Sequence, residues 1–533
     1  RYFYNALLAP RERYEDGYTA GRDAGRLVVG TKAAVVEGAI VGVAFEGERQ
    51  TQARQAVEAG LRQQTGYQQS QLARAQAGQL IIGRYVPRQI TNGGTTNWGY
   101  DLAGVARQVL FADDAPPLAA RLGLDDPLPA ARRDAVWLDA GALDLGQLTA
   151  IAGSDVTVRQ NLQVAAGGSI ELHAPTVSIQ GNLTARGGRV AAGNVLTSVE
   201  RETFLAPAAN TSARVEVAPG VTIDVSGLWA NLRRTPEDAD ALVWRNGGQI
   251  SLRGTGAVAL AAGSLLDARS GAVLDVKGKL IGGKGGDVAL EMVSLNGSVA
   301  GPGPVGVTLD GDVRGYGVAG GGSLRIFASR ALLSDQADAD AGPGGVVLRG
   351  DLFQRGFARY DINGDQGLKV ADGMRLDVSM PVYRLASDRP DPQAATFDEV
   401  LALWTPPLFQ ENAATGRMTQ RLGASLSLSS FVPATPLPAG TLDIGKDAQV
   451  QVDPGQSIRL QSRGLMRIQG TLRAPGGQIV VARGADDQGN VAQLGGLPNS
   501  VWIESGARLD VAGIAATAVD ARGRRYGKQF DGG

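Results

Sequence analysis

The chain has 533 residues, of which 75 are glycine, 5% are aromatic and none is cysteine, and its 52 basic and 53 acidic residues leave a formal net charge of -1. The charge balance argues against a nucleic-acid binder, and the missing cysteine excludes thiolate nucleophiles, thiolate metal sites and disulfides. No run of 18 apolar residues is present, so no membrane span is expected.

Two short phrases recur along the chain and alternate with each other. The first is a glycine followed within a few residues by Leu or Ile, then Asp, Val and a small residue. It begins at Gly220, Gly271, Gly373 and Gly506, with a shorter form at Gly440. The second is a glycine pair followed by an alternating apolar stretch, and it begins at Gly167, Gly187, Gly247, Gly285, Gly321 and Gly476. Each phrase is typical of a short strand that ends at a turn where glycine is favoured.

The spacing of the phrases indicates stacked coils. Residues 167 and 187 are 20 apart, residues 455 and 476 are 21 apart, and residues 247 and 285 are 38 apart. A unit of about 20 residues fits the first two intervals once and the third twice. One coil buries too few aliphatic side chains to offset the entropy of ordering its backbone, so coils are stable only when stacked. The sequence therefore predicts an all-β fold, a parallel β-helix with irregular or helical insertions.

In chain order, residues 1–48 are predicted to form coils, and residues 49–150 to form coils interrupted by excursions. The Gln-, Arg- and Ala-rich stretch at 48–77 indicates a helical or flexible excursion. Residues 92–133 indicate irregular chain with a short helix near Leu118.

The second half of the chain is predicted to continue the coils over residues 151–380, with a loop extruded at 228–246. Residues 381–438 are predicted to be a large Pro-rich insertion with a short helix that begins near Thr396, and coils resume at 439–533. Insertions at one edge of a solenoid commonly carry binding surfaces, although they can also simply cover the β-surface.

The two alternating phrases, together with the Gly-rich opening at residues 17–42, resemble the filamentous haemagglutinin family of large bacterial exoproteins. The resemblance is strongest over 153–290 and 440–513. It implies a right-handed parallel β-helix that is exported across the outer membrane of a Gram-negative bacterium by a dedicated partner transporter and acts as an adhesin. The secretion domain by which such proteins engage their transporter is not recognisable in this sequence.

The stretch at 278–287 matches parts of two ligand-binding motifs. Residues 278–284 fit the phosphate-binding loop, but Gly285 stands where a Ser or Thr should bind Mg²⁺, and the following residues are typical of a strand. Residues 282–287 fit a calcium-binding nonapeptide, which requires tandem copies that are absent. We expect instead a glycine-rich corner of the coil with Lys284 in solvent.

A second metal candidate lies at 361–372, where Asp361, Asn363 and Asp365 are spaced like the first ligands of an EF-hand loop. Gln366 stands where such a loop requires glycine, and Gly367 comes one position late. An ordinary turn is favoured over a weak calcium site.

Arg349, Gly350 and Asp351 form an Arg-Gly-Asp triplet, which is the one candidate receptor-binding site. Such triplets occur in some adhesins of the resembled family. Composition alone gives about 0.45 such triplets in a chain of this length, so chance is a sufficient explanation.

Catalysis would need acids on one exposed face, as in sugar-cleaving enzymes. Asp224, Asp275, Asp377 and Asp510 recur at apparently equivalent places in the repeat. Residues repeated at every copy are expected to serve the repeat by ending or solvating a strand. The single histidine, His173, is expected to be a solvated or hydrogen-bonded residue at a loop edge.

These observations predict a secreted or surface-displayed exoprotein that acts as an adhesin or structural rod in attachment or biofilm, and that is not an enzyme. The expected partners are an outer-membrane transporter during export and a host-cell or bacterial surface receptor or glycan. No catalytic residue, cofactor, metal or nucleic acid is expected. The alternatives are a polysaccharide-active β-helix enzyme and the stalk of a contact-dependent toxin delivery protein.

Overall fold

The computed structural model describes residues 19–47, 50, 74–83, 87–92, 95–100, 104–118, 123, 125–197, 202–204, 212–235, 240–292, 306–413, 415–430, 440–483 and 500–530. Strands dominate, and the long sheets are parallel, so the predicted parallel β-helix is confirmed. Parallel crossover connections are right-handed in nearly all proteins, which agrees with the predicted hand.

Each coil contributes a strand to three faces. The first face is one continuous sheet, and it contains Arg26–Val29, Gln79–Ile82, Gln147–Ile151, Ser169–His173, Arg189–Gly193, Gln249–Gly254, Asp287–Met292, the first parts of Ser323–Leu333 and Arg359–Val370, Ser425–Ser430, Ser457–Ser462 and Gln478–Arg483. Because the pairing in this sheet is unbroken, the sheet extends along the whole described solenoid.

The second face consists of two groups of paired strands, and the later group belongs to the same sheet as the first face because Ser323–Leu333 and Arg359–Val370 extend over both faces. The first group contains Ala34–Val35, Ala135–Leu138, Gln108–Phe111, Asp155–Val158, Thr176–Ile179, Arg214–Val217, Ala257–Leu260 and Val307–Leu309. The later strands are Gly345–Leu348, the second parts of Ser323–Leu333 and Arg359–Val370, Thr441–Ile444, Met466–Ile468 and Val501–Ile503. No backbone pairing joins the described strands Val307–Leu309 and Gly345–Leu348.

The third face is interrupted in the same region. Its strands are Ile40–Val41 with Leu143–Asp144, then Leu162–Gln163, Leu183–Thr184, Thr222–Asp224, Leu265–Asp267 and Asp312–Arg314, and then Arg375–Val378, Gln449–Val452, Thr471–Arg473 and Arg508–Asp510. In the sequence, a 3₁₀ helix, Gly350–Gln354, lies between the third-face strands Asp312–Arg314 and Arg375–Val378. It packs against the second of these strands. The described solenoid therefore has an upstream and a downstream part that are joined by continuous strand pairing on the first face only.

The core is a column of aliphatic side chains stacked from coil to coil. Leu148, Ile170, Val190 and Ile250 occupy one inward column of the first face, and each is completely buried. One hydrophobic cluster extends from Leu80 to Ala474. At about 1.5–3 kcal/mol per buried aliphatic side chain, this column is the main source of stability.

The length of a coil varies more than the sequence suggested. Gln147 pairs with Ser169, which pairs with Arg189, so these coils have 22 and 20 residues. Gln249 pairs directly with Asp287, so these 38 residues make one coil, and the division of this interval into two coils is wrong. The extra residues form an antiparallel hairpin of Ala272–Leu274 and Leu280–Gly282.

Two coils place a pair of strands on the second face. In the first, Gln108–Phe111 is followed by Ala135–Leu138, and in the second, the end of Ser323–Leu333 is followed by Gly345–Leu348. In both coils, the second strand of the pair lies on the side of the first strand that faces the preceding coil. The chain therefore turns back along the solenoid axis before it continues. We call these the first and second double-back coils.

The remaining elements belong to insertions and turns. They are the strand Trp229–Asn231, the short helices Asp240–Val243 and Phe397–Val400, the 3₁₀ helices Ala130–Arg132 and Ala140–Ala142, and the hairpins Pro87–Asn92 with Thr95–Tyr100, Val195–Thr197 with Glu202–Phe204, Val382–Leu385 with Leu401–Trp404, Phe409–Asn412 with Arg417–Gln420, and Ile514–Val519 with Arg525–Phe530.

The predicted excursions can now be placed. The helix expected near Thr396 is confirmed, because Thr396 is its N-cap and Glu399 completes a capping box. The coil resumes at Ser425, inside the range predicted as insertion. Most of the excursion at 48–77 and the residues that follow Leu118, 119–122, lie outside the described part of the chain.

Candidate binding surface

Four insertions leave the coil at the same corner, where the third face turns into the first. They occupy residues 228–246, 271–283, 381–423 and 514–530, each directly after a third-face strand. Because the coils are stacked, insertions at one corner stand in a row along the axis. We call the described residues of these four insertions the ridge.

An aromatic cluster joins the ridge to the coils. Tyr383 and Phe397 meet edge to face at 4.8 Å between ring centroids, and Phe397 meets Trp229 in the same way at 5.9 Å. Tyr316, which follows a third-face strand, meets Tyr383 at 6.0 Å. Such contacts add about 0.5–1.5 kcal/mol each beyond area burial. The insertion at 381–423 therefore packs against residues that lie well before it in the sequence.

The ridge carries the exposed apolar side chains of the solenoid wall. Among the described residues, fifteen large apolar side chains are exposed. Six lie in the first coil, between Leu27 and Phe45, and three lie in the strand Val501–Ile503 near the last coil. The other six all lie on the ridge, and they are Val243, Val276, Leu403, Leu408, Leu422 and Val519. Exposed apolar residues concentrated in one row are typical of an interaction surface.

The outward surface of the first face is polar and largely paired within itself. A ladder of charges crosses four consecutive coils: Arg253 contacts Glu291 at 2.6 Å, Glu291 contacts Arg325 at 3.3 Å, and Arg325 contacts Asp361 at 3.6 Å. Only 12% of the Arg253 side chain and 8% of the Glu291 side chain are exposed. Seven of the 52 basic residues are lysine, and the planar arginine fork suits such bridging between coils.

Of the two states expected for His173 at a loop edge, solvated or hydrogen-bonded, the structure shows the hydrogen-bonded one. His173 ends a first-face strand, is only 3% exposed and lies 3.4 Å from the carbonyl oxygen of Gly193 through Nδ1. Its Nε2 lies 3.6 Å from Glu171, and Arg189 lies 3.6 Å from the same carboxylate. The hydrogen bond from His173 lowers the pKa of Glu171, with attraction from Arg189 adding to the effect. This group links neighbouring coils.

The recurring aspartates end strands, as expected, but they are not all equivalent. Asp224 lies in register with Asp267, whereas Asp275 lies in the hairpin turn and accepts the Lys277 and Lys279 backbone N–H groups. The equivalence of Asp275 with the others is therefore wrong. Asp224 and Asp267 each accept a hydrogen bond from the backbone N–H two residues on, at 2.8 and 3.0 Å. This Asx turn bends the chain out of the third face.

Asp377 and Asp510 share another third-face column, through the paired strands between them. Asp510 makes an Asx turn to Ala512 at 3.1 Å, and that hydrogen bond is the main cause that lowers its pKa. The repeated aspartates thus have a structural explanation that needs no catalytic role.

The stretch that matched phosphate and calcium motifs is the end of the hairpin and the start of the next first-face strand. Lys284 is exposed, as expected. Asp287 accepts hydrogen bonds from the backbone and hydroxyl groups of Ser323 at 2.7 and 2.6 Å, so its carboxylate connects two coils. In the described part of the chain, no group of three or more His, Asp or Glu side chains is arranged to hold a metal.

The EF-hand candidate is extended chain, since Arg359–Val370 is one strand that turns the corner between the first and second faces. Asp361 belongs to the ladder with Arg325. Asp365 lies at the corner, 7% exposed, and its Oδ1 atom is buried without a hydrogen-bond partner. Burial raises the pKa of Asp365 to about 7. This buried acid was not recognised from the sequence, because nothing in the local pattern distinguishes a corner from an open turn.

The Arg-Gly-Asp triplet begins the 3₁₀ helix of the second double-back coil. Gly350 donates its N–H to Asp335 at 2.8 Å, and the Asp351 carboxylate accepts a hydrogen bond from Arg355 at 2.6 Å. The first double-back coil has the same order of elements, with Asp139 as N-cap of Ala140–Ala142 after Ala135–Leu138. The triplet therefore lies in a structural unit that occurs twice, and its role in receptor binding stays a prediction.

A cleft of about 700 Å³ lies beside the second double-back coil, between the loop at 335–344 and the second-face strands. Its lining includes Arg330, Gln336, Asp338, Lys369 and Asp443. Lys369 faces Asp372 at 3.7 Å, and Asp443, on the lining, faces Arg467 at 3.3 Å. Because the lining carries both signs and several charges already face a partner, it does not select one class of ligand.

Comparisons with known proteins leave the architecture as the main guide to function. No protein-family model, no curated protein and no solved structure matches this chain. Within the described ranges, none of the helices has the length and hydropathy of a membrane-spanning segment.

Proposed function

We propose that this chain is part of a secreted or surface-displayed bacterial exoprotein of the filamentous haemagglutinin type, acting as an adhesin or structural rod in attachment or biofilm. The observation that carries the proposal is the ridge: away from the two ends of the described solenoid, all of the exposed large apolar side chains lie on it, and they are Val243, Val276, Leu403, Leu408 and Leu422. A rod whose wall is otherwise polar and internally paired presents one contact surface along its length.

The ridge has the composition of a protein-binding surface. Leu403, Leu408 and Leu422 are 46%, 40% and 53% exposed, and the Arg384 guanidinium stacks 4.1 Å from the centroid of the Trp404 ring nearby. Arginine and tryptophan are enriched at interaction hot spots, and apolar side chains beside them help to exclude water from an interface. A receptor on a host or bacterial cell is the partner that this surface fits, and an outer-membrane transporter is the proposed partner during export to the outside of a Gram-negative cell.

The test replaces ridge side chains without touching the core. A variant with Leu403→Ser, Leu408→Ser and Leu422→Ser is compared with a control that has Val501→Ser and Ile503→Ser, which removes exposed apolar side chains from the end of the solenoid instead. Binding of labelled protein to cultured epithelial cells, to bacterial cells and to biofilm matrix is measured by fluorescence. We expect at least about a ten-fold loss of affinity for the ridge variant and little change for the control.

Equal binding by both variants and the unmodified protein would remove the ridge as the contact surface. Incubation with a panel of acidic polysaccharides tests the enzymatic alternative in parallel. Release of reducing or unsaturated sugar would contradict a purely adhesive or structural role.

A further inference from the structure

The second double-back coil interrupts the strand pairing of the described solenoid on two of its three faces. Upstream of it, the second and third faces end at Val307–Leu309 and Asp312–Arg314, and neither strand pairs with a described strand further downstream. Across this joint, the first-face sheet keeps its strand pairing through Asp287–Met292, Ser323–Leu333 and Arg359–Val370. On the third face, one backbone hydrogen bond from the Gly315 N–H to the Arg355 carbonyl oxygen, at 2.9 Å, and an Arg355–Asp312 ion pair at 3.0 Å remain. A joint with interrupted strand pairing on two of three faces opens more readily than a regular coil does.

The insertion at 381–423 is anchored upstream of this joint. Asn231 donates from Nδ2 to the carbonyl oxygens of Pro392 and Ala394, at 3.2 and 3.1 Å, and Asn231 is 3% exposed. Arg269 hydrogen-bonds the Tyr383 hydroxyl at 3.4 Å, and Tyr383 donates its N–H to Gly317 at 3.1 Å. All of these upstream partners follow third-face strands that precede the joint.

The same insertion is anchored downstream as well. Arg421 forms an ion pair with Asp453, and the two side chains are 15% and 6% exposed. Further along, Ala521 donates its N–H to the Ala413 carbonyl oxygen at 3.2 Å, and the Tyr526 hydroxyl donates to Glu411 at 3.4 Å. These partners follow the third-face strands Gln449–Val452 and Arg508–Asp510.

We infer that the insertion at 381–423 is a brace that holds the second double-back coil closed, so that the upstream and downstream parts of the solenoid act as one rod. Its contacts span the joint at the corner of the third and first faces, beside one of the two faces whose pairing is interrupted. The brace compensates for the interrupted strand pairing with side-chain contacts and two backbone hydrogen bonds on the outside of the rod. This role is independent of the proposed adhesion.

Hydrogen exchange tests the brace, because it measures opening at each amide. The probes are the facing edges of the joint, Val307–Leu309 and Gly345–Leu348, and the reference is the regular strand Ser169–His173. Asn231→Ala loosens the upstream anchor, Arg421→Gln loosens the downstream anchor, and Arg417→Gln is the matched control, since Arg417 is an exposed arginine of the same insertion.

We expect each anchor variant to speed exchange at the joint by about ten-fold, the effect of losing one or two buried hydrogen bonds, while the reference strand keeps its rate. Arg417→Gln should change neither. The inference is overturned if the anchor variants leave the joint unchanged, or if they speed exchange equally in the reference strand. Two variants on opposite sides that act on the same central amides separate a brace from local damage at either anchor.

Discussion

The regular coils at 147–193 and the second double-back coil fill their interiors with different kinds of side chain. In the regular coils, each inward position holds a Leu, Ile, Val or Ala above the equivalent residue of the previous coil. In the second double-back coil, the buried side chains include Phe353 and Phe357, and Tyr360 lies beside them at the start of the next coil. All three are among the largest fully buried side chains in the described chain.

Another of the largest buried side chains, Phe111, lies in the first double-back coil. Phe353 and Phe357 pack against Tyr360 at 5.2 and 5.8 Å between ring centroids. The difference teaches that small aliphatic residues suffice where the cross-section repeats, whereas a coil with an extra strand changes the cross-section and needs aromatic rings to fill it.

The largest expected effect tests this filling directly. Phe353→Ala removes a completely buried ring where neighbouring backbone pairing is interrupted, so the cavity should cost about 3–5 kcal/mol in the free energy of unfolding. Leu172→Ala, in a regular coil, should cost about 2–4 kcal/mol. Urea denaturation of both variants checks the order, and a smaller loss for Phe353→Ala would contradict the proposed role of the aromatic rings.

A matched pair of glycines sharpens the comparison. Gly356 has φ of +87° and lies against the Tyr316 backbone, so a Cβ there would lie 2.5 Å from the Tyr316 Cα. Gly373 has φ of +68° with open space around the Cβ position. Gly356→Ala should therefore lower the unfolding free energy by about 2–4 kcal/mol, and Gly373→Ala by about 1–2 kcal/mol from the left-handed backbone alone. Thermal unfolding of the two variants measures the difference.

A pH dependence is expected at the corner that follows the double-back coil. Asp365 has a pKa raised by burial from 3.8 to about 7 in the folded chain. The stability that its neutral form contributes is complete below pH about 4 and is lost as the pH rises through about 7. Asp365→Asn should raise the midpoint of thermal unfolding at pH 8 and leave it nearly unchanged at pH 4. An equal shift at both pH values would contradict the buried, neutral carboxyl.

The smallest expected effect lies in the regular coils, at the Asx turn of Asp224. This carboxylate accepts the Ser226 N–H at 2.8 Å and an Arg186 N–H at 3.0 Å. Asp224→Ala should cost about 1–2 kcal/mol, whereas Asp275→Ala, in the exposed hairpin turn, should cost less than about 1 kcal/mol. Urea denaturation compares them, and equal losses would argue that the two aspartates are equivalent after all.

Local patterns were sufficient to predict much of the fold. The alternating phrases at Gly167 and Gly187 predicted adjacent first-face strands, and Ser169 does pair with Arg189. The short helix that begins near Thr396 was predicted from its local sequence, and its capping box was seen only in the structure. These features depend on neighbours within a few residues, which is the range that periodicity and capping reflect.

The candidate binding surface was only partly predictable. The sequence located the insertions at 228–246 and 381–438, but it did not show that both stand at one corner or that Trp229 meets Phe397. Two residues separated by more than 160 positions come together only because several coils stack in a fixed register. The stacking of coils also explains why His173 is buried. The residues that cover its side chain cannot be inferred from the sequence of its own strand.

The sequence by itself determined that the chain forms a parallel β-helix, because glycine-punctuated strands with small aliphatic residues can bury their inward face only by stacking. The tertiary structure decided how many residues make each coil, where the chain doubles back and which insertions meet. Those outcomes depend on pairing between strands that are far apart in the sequence, such as Ser169 with Arg189, 20 residues apart, and Ile40 with Leu143, 103 residues apart. Local propensity contains no information on which distant strand will be the partner.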